Sequence, residues 1–220
     1  MIKADHSKLA RWIFIPYMNR LIKNHFSNFF VVNDFPEVPE NSALIISPNH
    51  ISWWDGFFAE YAFSKFIKRK IHLMMLEEQL RKFWFFKKIG AYSINPKNSK
   101  SIIETAEYTK KILNISSNYV VLYPQGEIES FEKKPISIKN GLKYFINGIE
   151  RDVCILPAAF KIQYYNEKNP AVILRFGELI NGKEVSNDYE KFKNIFVENI
   201  DKLSEASFKK SFKRDLFREK

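Results

Sequence analysis

Residues 43–76, with the sequence ALIISPNHISWWDGFFAEYAFSKFIKRKIHLMML, carry the clearest strand–helix–strand pattern in the chain. The pattern opens with the apolar run Ala43–Ser47, passes through a helical spacing over Ser52–Lys68 and ends in a second run, Lys70–Leu76. Both runs are largely continuous rather than alternating, which is typical of strands buried on both faces of a sheet. The stretch therefore predicts two strands of a parallel sheet joined by a helix.

The same alternation continues through the rest of the chain. Further apolar runs predict strands at Ala91–Asn95, Tyr119–Tyr123, Cys154–Phe160 and Ala171–Gly177. Helical patterns lie at Glu77–Ile89, Ser99–Ile115, Ile136–Ile149 and Asn187–Leu203. The last two strands are separated by the polar turn at 166–170 and predict a hairpin. The predicted fold class is α/β: a single domain with a central mixed, mostly parallel sheet flanked by helices, preceded by an N-terminal amphipathic helical segment.

Three regions are expected along the chain. Residues 1–35 form an N-terminal helical segment, residues 36–205 the α/β domain and residues 206–220 a basic C-terminal tail. Within the first region, residues 8–30 mix aromatic and basic side chains. That composition is compatible with an interfacial membrane helix and also with packing against the α/β body. Both interpretations stay open from the sequence.

Composition limits the classes of function. The chain has 220 residues, of which 45% are hydrophobic and 16% aromatic, and this excludes intrinsic disorder. A net charge of +10 favours an anionic partner, either lipid headgroups or nucleic acid, but charge alone fits a soluble protein with lysine-rich outer faces equally well. The basic residues are scattered rather than gathered in a stripe, so we expect no nucleic-acid partner. The lone Cys154 excludes a disulfide framework and fits a reducing compartment. We expect neither a membrane-spanning helix nor a secretory signal.

Of the four histidines, His50 is the best candidate for a catalytic base. It follows the strand Ala43–Ser47 across Pro48, and ligand or catalytic groups in open α/β sheets gather beyond the carboxyl ends of strands. Asp55 lies five residues further on and would point elsewhere if both residues were on one helix. If His50 is in the loop and Asp55 in the first helical turn, the carboxylate can orient the imidazole. The alternative is a capping aspartate beside a surface histidine.

No nucleophile of the protein accompanies this pair. The sequence contains no G-x-S-x-G elbow, and Cys154 lies in an apolar strand pattern. The attacking hydroxyl or amine would then belong to the substrate. A second informative stretch, residues 123–127, ends a buried strand in a Pro-Gln-Gly turn, where Gly126 permits close backbone approach. Lys139 adds a cation nearby in the chain.

Four blocks resemble the glycerolipid and lysophospholipid acyltransferases, the family that includes 1-acylglycerol-3-phosphate acyltransferase. Residues 47–55, SPNHISWWD, resemble the family's N-H-x-x-x-x-D motif, and residues 123–127, YPQGE, resemble its F-P-E-G-T-R block. Residues 90–95 occupy the place of its G-x-x-F-x-x-R block, and residues 155–159 resemble its late strand with a proline. The blocks occur in the family's order and cover roughly residues 40–160.

The resemblance implies an acyltransferase. His50, oriented by Asp55, would deprotonate an acceptor hydroxyl, which then attacks the thioester of acyl-CoA or acyl-carrier protein. The implied substrate-binding residues are Asn49, Lys97, Pro124, Gln125, Gly126, Glu127 and Lys139. No metal and no cofactor are expected beyond the thioester co-substrate. The expected location is peripheral, on the cytoplasmic face of a membrane.

The chain departs from the family at positions that concern the acceptor. Gln125 replaces the glutamate of the third block, Ile128 its arginine and Pro96 the arginine of the second block. Arginine grips phosphate with two parallel hydrogen bonds, whereas lysine offers only a point charge. The acceptor is expected to be a lysophospholipid or a related lipid, with a glycolipid or amino-acid lipid as alternatives. A catalytically altered lipid-binding protein is the remaining alternative.

Overall fold

The computed structural model describes residues 1–219. The strands are β1 (Phe29–Val31), β2 (Ala43–Pro48), β3 (Lys70–Leu76), β4 (Ala91–Ile94), β5 (Asn118–Val121), β6 (Val153–Gln163), β7 (Ala171–Phe176), β8 (Ile180–Asn181) and β9 (Arg214–Asp215). The helices are α1 (Lys8–His25), α2 (Asp55–Phe66), α3 (Glu77–Lys82), α4 (Ser99–Leu113), α5 (Leu142–Ile146), α6 (Gly182–Asn187) and α7 (Tyr189–Lys209), with a 3₁₀ segment at Trp84–Ile89.

All the strands join one mixed sheet, in the order β4-β3-β5-β2-β6-β7-β1-β9, with β8 paired to β6. The pairs from β4 across to β6, and the pair β1–β7, are parallel. The hairpin β6–β7, β8 and β9 supply the antiparallel pairs. The predicted fold class, including the mixed and mostly parallel sheet and its hairpin, is confirmed.

Helices cover both faces of the sheet and enclose two cores. One core packs α1, α2 and the 3₁₀ segment against the sheet, with Phe14, Phe58 and Phe160 among its members. The other packs α4, α5, α6 and α7 against the opposite face, with Phe192 and Phe196 among its members. Because both faces are covered, β2 is buried at all six positions, which explains its continuous apolar sequence.

Two predicted helices are shorter in the structure. The pattern over Glu77–Ile89 divides into α3 and the 3₁₀ segment, which ends at Gly90 with φ +118°, a conformation that favours glycine. The pattern over Ile136–Ile149 forms only α5. The backbone before α5 is held by other partners: Ser137 N–H donates to the Glu129 carboxylate and Lys139 N–H to the Pro124 carbonyl.

The two chain ends differ from what the sequence predicts. At the N-terminus, the residues before α1 are not helical: Ser93 N–H donates to the Ile2 carbonyl at 2.9 Å, and Asp5 N–H donates to the Lys87 carbonyl at 2.8 Å. At the other end, α7 is followed by β9, which pairs with β1, so the described part of the expected basic tail is built into the sheet. Leu216, only 1% exposed, anchors it in the core.

Candidate active site

The candidate site lies at the carboxyl edge of the parallel strands, where the chain leaves β2 and β5. These strands are neighbours, with Ile46 opposite Val121. The loop after β2 carries His50, and the turn after β5 carries Gln125. Parallel neighbours end at the same edge of a sheet, so two loops far apart in sequence meet here.

His50 and Asp55 form a hydrogen-bonded pair. Nδ1 of His50 lies 2.7 Å from Oδ2 of Asp55, with His50 in the loop and Asp55 as the first residue of α2. The Asp55 side chain is completely buried, whereas 24% of the His50 side chain is exposed. Since a carboxylate can only accept, Nδ1 carries the proton. Nε2 is then the imidazole nitrogen that can take a proton from another molecule.

Asp55 also organises the loop that holds His50. Its Oδ2 accepts the backbone N–H groups of Ile51 at 2.6 Å and Ser52 at 2.9 Å. Its Oδ1 accepts the Ser52 hydroxyl at 2.8 Å. The negative carboxylate at the first residue of α2 is also favoured by the helix dipole. One buried carboxylate therefore shapes the loop and fixes the imidazole that the loop carries.

The ring of Tyr123 forms one wall of the site. It stacks on His50 with the ring centroids 4.4 Å apart and the planes inclined by 24°. Burial, and then the charge of Asp55, raise the pKa of the Tyr123 hydroxyl well above its ordinary value, so the phenol is neutral. Its hydroxyl is buried and has no hydrogen-bond partner among the described residues. We assign Tyr123 a packing contact that limits the motion of the imidazole.

Asn49 does not face the site in the way expected of a substrate-binding residue. It is buried, and its amide nitrogen donates to the Phe160 carbonyl at 2.9 Å. Its amide oxygen accepts the Phe160 N–H at 2.7 Å. Both functions of the side chain are therefore taken by one residue of β6. Asn49 fastens the end of β2 to β6 and thereby positions the residue that follows it, His50.

Gln125 also differs from the expectation that it binds substrate. Only 2% of the residue is exposed. Its Oε1 accepts the backbone N–H of His50 at 2.6 Å, and its Nε2 donates to Oε2 of Glu129 at 3.1 Å. The amide therefore supports the backbone of the loop that carries His50 rather than facing a ligand. Pro124 is buried as well, and its carbonyl accepts the Lys139 N–H.

Gly126, Glu127 and Lys139 lie on the rim of the site. Gly126 has φ +72°, and a Cβ at this position would lie 3.0 Å from Nζ of Lys139. The turn therefore favours glycine both for its backbone conformation and for the close approach of the lysine. Nζ of Lys139 lies 3.8 Å from Oε1 of Glu127, and both side chains are exposed. These two groups are free to exchange partners with a ligand.

Lys97 lies further away than the sequence suggested. It follows β4, which is separated from β2 by β3 and β5. Three strand spacings of about 4.8 Å place the ends of β2 and β4 roughly 14 Å apart. Only an extended ligand could touch both His50 and Lys97.

Glu129 belongs to the site and was not predicted from the sequence. It is buried, and its backbone N–H donates to the His50 carbonyl at 2.9 Å. Hydrogen bonds lower the pKa of the Glu129 carboxyl to about 2, and the bond from Lys133 has a larger effect than the one from Ser137. One feature of the sequence points to Glu129: it is an acidic residue four positions after Gln125, the residue that replaces the family's glutamate.

The structure offers no serine or cysteine nucleophile at His50 within residues 1–219. The Ser52 hydroxyl donates to Asp55, Ser47 is fully buried in β2, and Cys154 is buried in β6. The same residues contain no group of three or more His, Cys, Asp or Glu side chains placed to hold a metal ion. In that part of the chain, every helix is too short or too polar to cross a bilayer.

Comparisons with known proteins give a family from the sequence and a matching fold from the structure. The profile of the Acyltransferase family matches residues 30–161, which include His50, Asp55 and the turn at 123–127. No curated protein matches the chain. A solved structure with the same fold is the 1-acyl-sn-glycerophosphate (LPA) acyltransferase PlsC from Thermotoga maritima, at 16% identity and a TM-score of 0.62, covering 87% of this chain and 77% of that one. This chain belongs to the acyltransferase family.

Proposed function

We propose that this acyltransferase moves a fatty acyl group from acyl-CoA or acyl-carrier protein to a hydroxyl of a lysophospholipid or a related lipid. His50 takes the proton of the acceptor hydroxyl on Nε2, the oxygen attacks the thioester carbonyl, and the thiol leaves with a proton. The step needs no cofactor besides the thioester donor. General base catalysis of this kind contributes about 10²–10⁴-fold to the rate.

The observation that carries the proposal is the 2.7 Å contact between His50 Nδ1 and the buried Asp55 carboxylate. Such a contact holds the imidazole in one tautomer and stabilises the imidazolium that forms during proton transfer. With the hydroxyl of Ser52 engaged by Asp55, direct attack by the acceptor is favoured over an acyl-enzyme.

The rim supports an acceptor without a terminal phosphate. Ile128 occupies the position of the arginine in the family's F-P-E-G-T-R block. The Ile128 side chain is exposed. Lys139, the nearest cation of the turn, already lies beside Glu127. A phosphomonoester would contact a lysine that already lies beside Glu127, rather than an arginine that can form two parallel hydrogen bonds. We therefore propose a lysophospholipid, a glycolipid or an amino-acid lipid rather than lysophosphatidic acid.

We further propose that the enzyme works at the cytoplasmic face of a membrane, docked through α1. The apolar stripe of α1, defined as Leu9, Trp12, Ile13, Pro16 and Tyr17, is exposed along its length. Its spacing matches one face of a helix, whereas Phe14, Met18 and Ile22 on the other face are buried. The helix has exposed basic residues and no Asp or Glu, which suits anionic headgroups.

The position of the apolar stripe relative to the site supports docking of a lipid substrate. Trp53, three residues after His50, is exposed and packs on Phe57 at 4.8 Å between ring centroids. Phe57 in turn stacks on Phe14 of α1. Phe57 and Phe14 are buried, so they join α1 to the start of α2 from the inside, while Trp53 and the apolar stripe are exposed on the two elements that they join. A lipid acceptor could reach the base without leaving the interface.

The test is an acyl-transfer assay with labelled acyl-CoA and labelled acyl-carrier protein, a panel of lipid acceptors and mass identification of the product. The panel contains lysophosphatidic acid, neutral lysophospholipids, a glycolipid and an amino-acid lipid. Wild type is expected to acylate an acceptor that lacks a phosphomonoester, and His50→Ala to lose turnover while it stays folded. A strong preference for lysophosphatidic acid would overturn the acceptor proposal, and full activity of His50→Ala would overturn the mechanism.

A further inference from the structure

The backbone of His50 is held on both sides by one short segment of the chain. Its N–H donates to Oε1 of Gln125 at 2.6 Å, and its carbonyl accepts the backbone N–H of Glu129 at 2.9 Å. These two hydrogen bonds determine how the peptide planes around His50 are turned. They therefore set the direction in which the imidazole leaves the backbone, independently of the contact with Asp55.

The orientation of the Gln125 amide depends on Glu129. An amide side chain can bind through either end, and only the oxygen can accept the His50 N–H. The Glu129 carboxylate can only accept, and it lies 3.1 Å from Nε2 of Gln125. The NH₂ group must therefore face Glu129, which leaves the oxygen of Gln125 facing His50.

Glu129 is in turn fixed as a buried anion. Oε1 accepts a hydrogen bond from Lys133, and Oε2 accepts the backbone N–H of Ser137 at 3.2 Å. The Ser137 hydroxyl also contacts Nζ of Lys133 at 3.2 Å. A buried carboxylate with several donors is kept charged and immobile. The segment from Gln125 to Ser137 therefore closes around this one side chain.

We propose that Glu129 is a positioning residue for the His50 base, acting through the Gln125 amide and its own backbone N–H. The inference rests on the proposed function of His50. Glu129 touches neither substrate nor the reacting atoms in this role. Displacing a reacting group by about 1 Å can cost roughly 10²-fold in rate, so a shift of the His50 backbone would be felt in turnover.

The test exploits the difference between an amide and a carboxylate at position 125. Gln125→Glu places two carboxylates about 3.1 Å apart, next to the single cation of Lys133. Mutual repulsion raises the pKa of one of them, and the pair separates when both are charged. We expect kcat to fall by about 10–100-fold at neutral pH, with a smaller change in KM for the thioester donor.

The double variant Gln125→Glu/Glu129→Gln restores a donor facing an acceptor, with the two roles exchanged. It is expected to recover most of the lost kcat. As pH rises from about 5 to 8, the second carboxyl of Gln125→Glu ionises, and the kcat of this variant relative to wild type should fall. The kcat of the double variant relative to wild type should not change over the same range. Glu132→Gln, an exposed carboxylate of the same loop, serves as the matched control and should keep wild-type kcat.

The outcomes separate this inference from the proposed function. If His50→Ala abolishes transfer but Gln125→Glu keeps wild-type kcat, or the double variant is no better than Gln125→Glu, the positioning role is wrong. If wild-type transfer survives His50→Ala, the proposed function fails first. Denaturant unfolding of every variant identifies a variant that fails to fold. If Gln125→Glu is such a variant, the kcat of the double variant relative to wild type tests the positioning role.

Discussion

The Asp55 carboxylate lies 2.7 Å from Nδ1 of His50 because the two residues belong to different local structures. On one regular helix, side chains five residues apart diverge by about 140°. Here α2 begins at Asp55, while His50 remains in the loop after β2. The turn at 51–54 folds the chain back, and Asp55 holds that turn through two backbone N–H groups.

Asp55→Asn should lower kcat by about 10²–10⁴-fold. The Asp55 carboxylate accepts hydrogen bonds from His50, Ile51 and Ser52, and the amide in Asp55→Asn would have only one oxygen to replace it. If the NH₂ group of the amide faces His50 instead, it favours the imidazole tautomer that lacks a proton on Nδ1. Turnover at saturating donor and acceptor measures the effect. Unchanged kcat in the folded variant would contradict the role of Asp55.

Asn49→Ala should lower the free energy of unfolding by about 1–3 kcal/mol, because it leaves the N–H and the carbonyl of Phe160 without their partner in the core. Denaturant unfolding monitored by tryptophan fluorescence measures this. Asn166→Ala, at an exposed loop position, is the matched control and should be neutral. Equal stability of the two variants would argue against the proposed fastening of β2 to β6.

Trp12→Ser/Ile13→Ser should weaken binding to anionic vesicles by about 10²–10⁴-fold, since each of the two apolar side chains contributes roughly 1.5–3 kcal/mol when fully removed from water. Co-flotation with vesicles of fixed anionic lipid content measures the fraction of protein bound. Trp12 is 76% exposed, so the fold should not suffer. Phe208→Ser on α7, at 89% exposure, is the control for a general loss of apolar surface. Unchanged flotation of the double variant would refute docking through α1.

Arg11→Met should destabilise the protein by about 1.5–3 kcal/mol, since it removes the partner of the buried Glu60, 2.5 Å away. Burial raises the pKa of Glu60, and Arg11 opposes that rise. Because its carboxyl pKa is raised, the contribution of Glu60 to the free energy of unfolding is greatest at low pH and is lost as pH rises through the folded-state pKa. This fall should be steeper in Arg11→Met and absent in Arg11→Met/Glu60→Gln. Urea unfolding between pH 4 and 8 would reveal it, and parallel pH profiles for the two variants would count against the ion pair.

His6 and His72 should make the protein sensitive to acid. Their ring centroids are 4.7 Å apart. Burial lowers the pKa of His6 to about 3, with the neighbouring His72 adding to the effect, and burial lowers the pKa of His72 to about 4. The stability gained by keeping them neutral is present above about pH 6.5 and is lost as pH falls towards these values, by up to about 1.4 kcal/mol per pH unit for each proton. His6→Phe should reduce the slope of stability against pH in acid. Identical slopes for wild type and variant would contradict this expectation.

The sequence alone determined the fold class and the main strands. Continuous apolar runs such as Ala43–Ser47 arise because both faces of the sheet are covered, and β3 was predicted with the bounds Lys70–Leu76 that the structure has. Very short strands escaped prediction, because β1 and β9 have too few residues to show a period. Their place depends on pairing between residues almost the full chain length apart.

The sequence also singled out His50 and Asp55, since their motif lies within a few residues of one strand end. Only the tertiary structure decided what their neighbours do. Asn49 and Gln125 look like ligand-binding polar residues in the sequence. In the structure, Asn49 is taken up by the backbone of Phe160, and Gln125 by the backbone of His50 and the carboxylate of Glu129. Glu129 became visible because β2 and β5 end side by side at one sheet edge. A buried polar side chain takes its role from the partners that folding brings to it, and those partners are not encoded by local spacing.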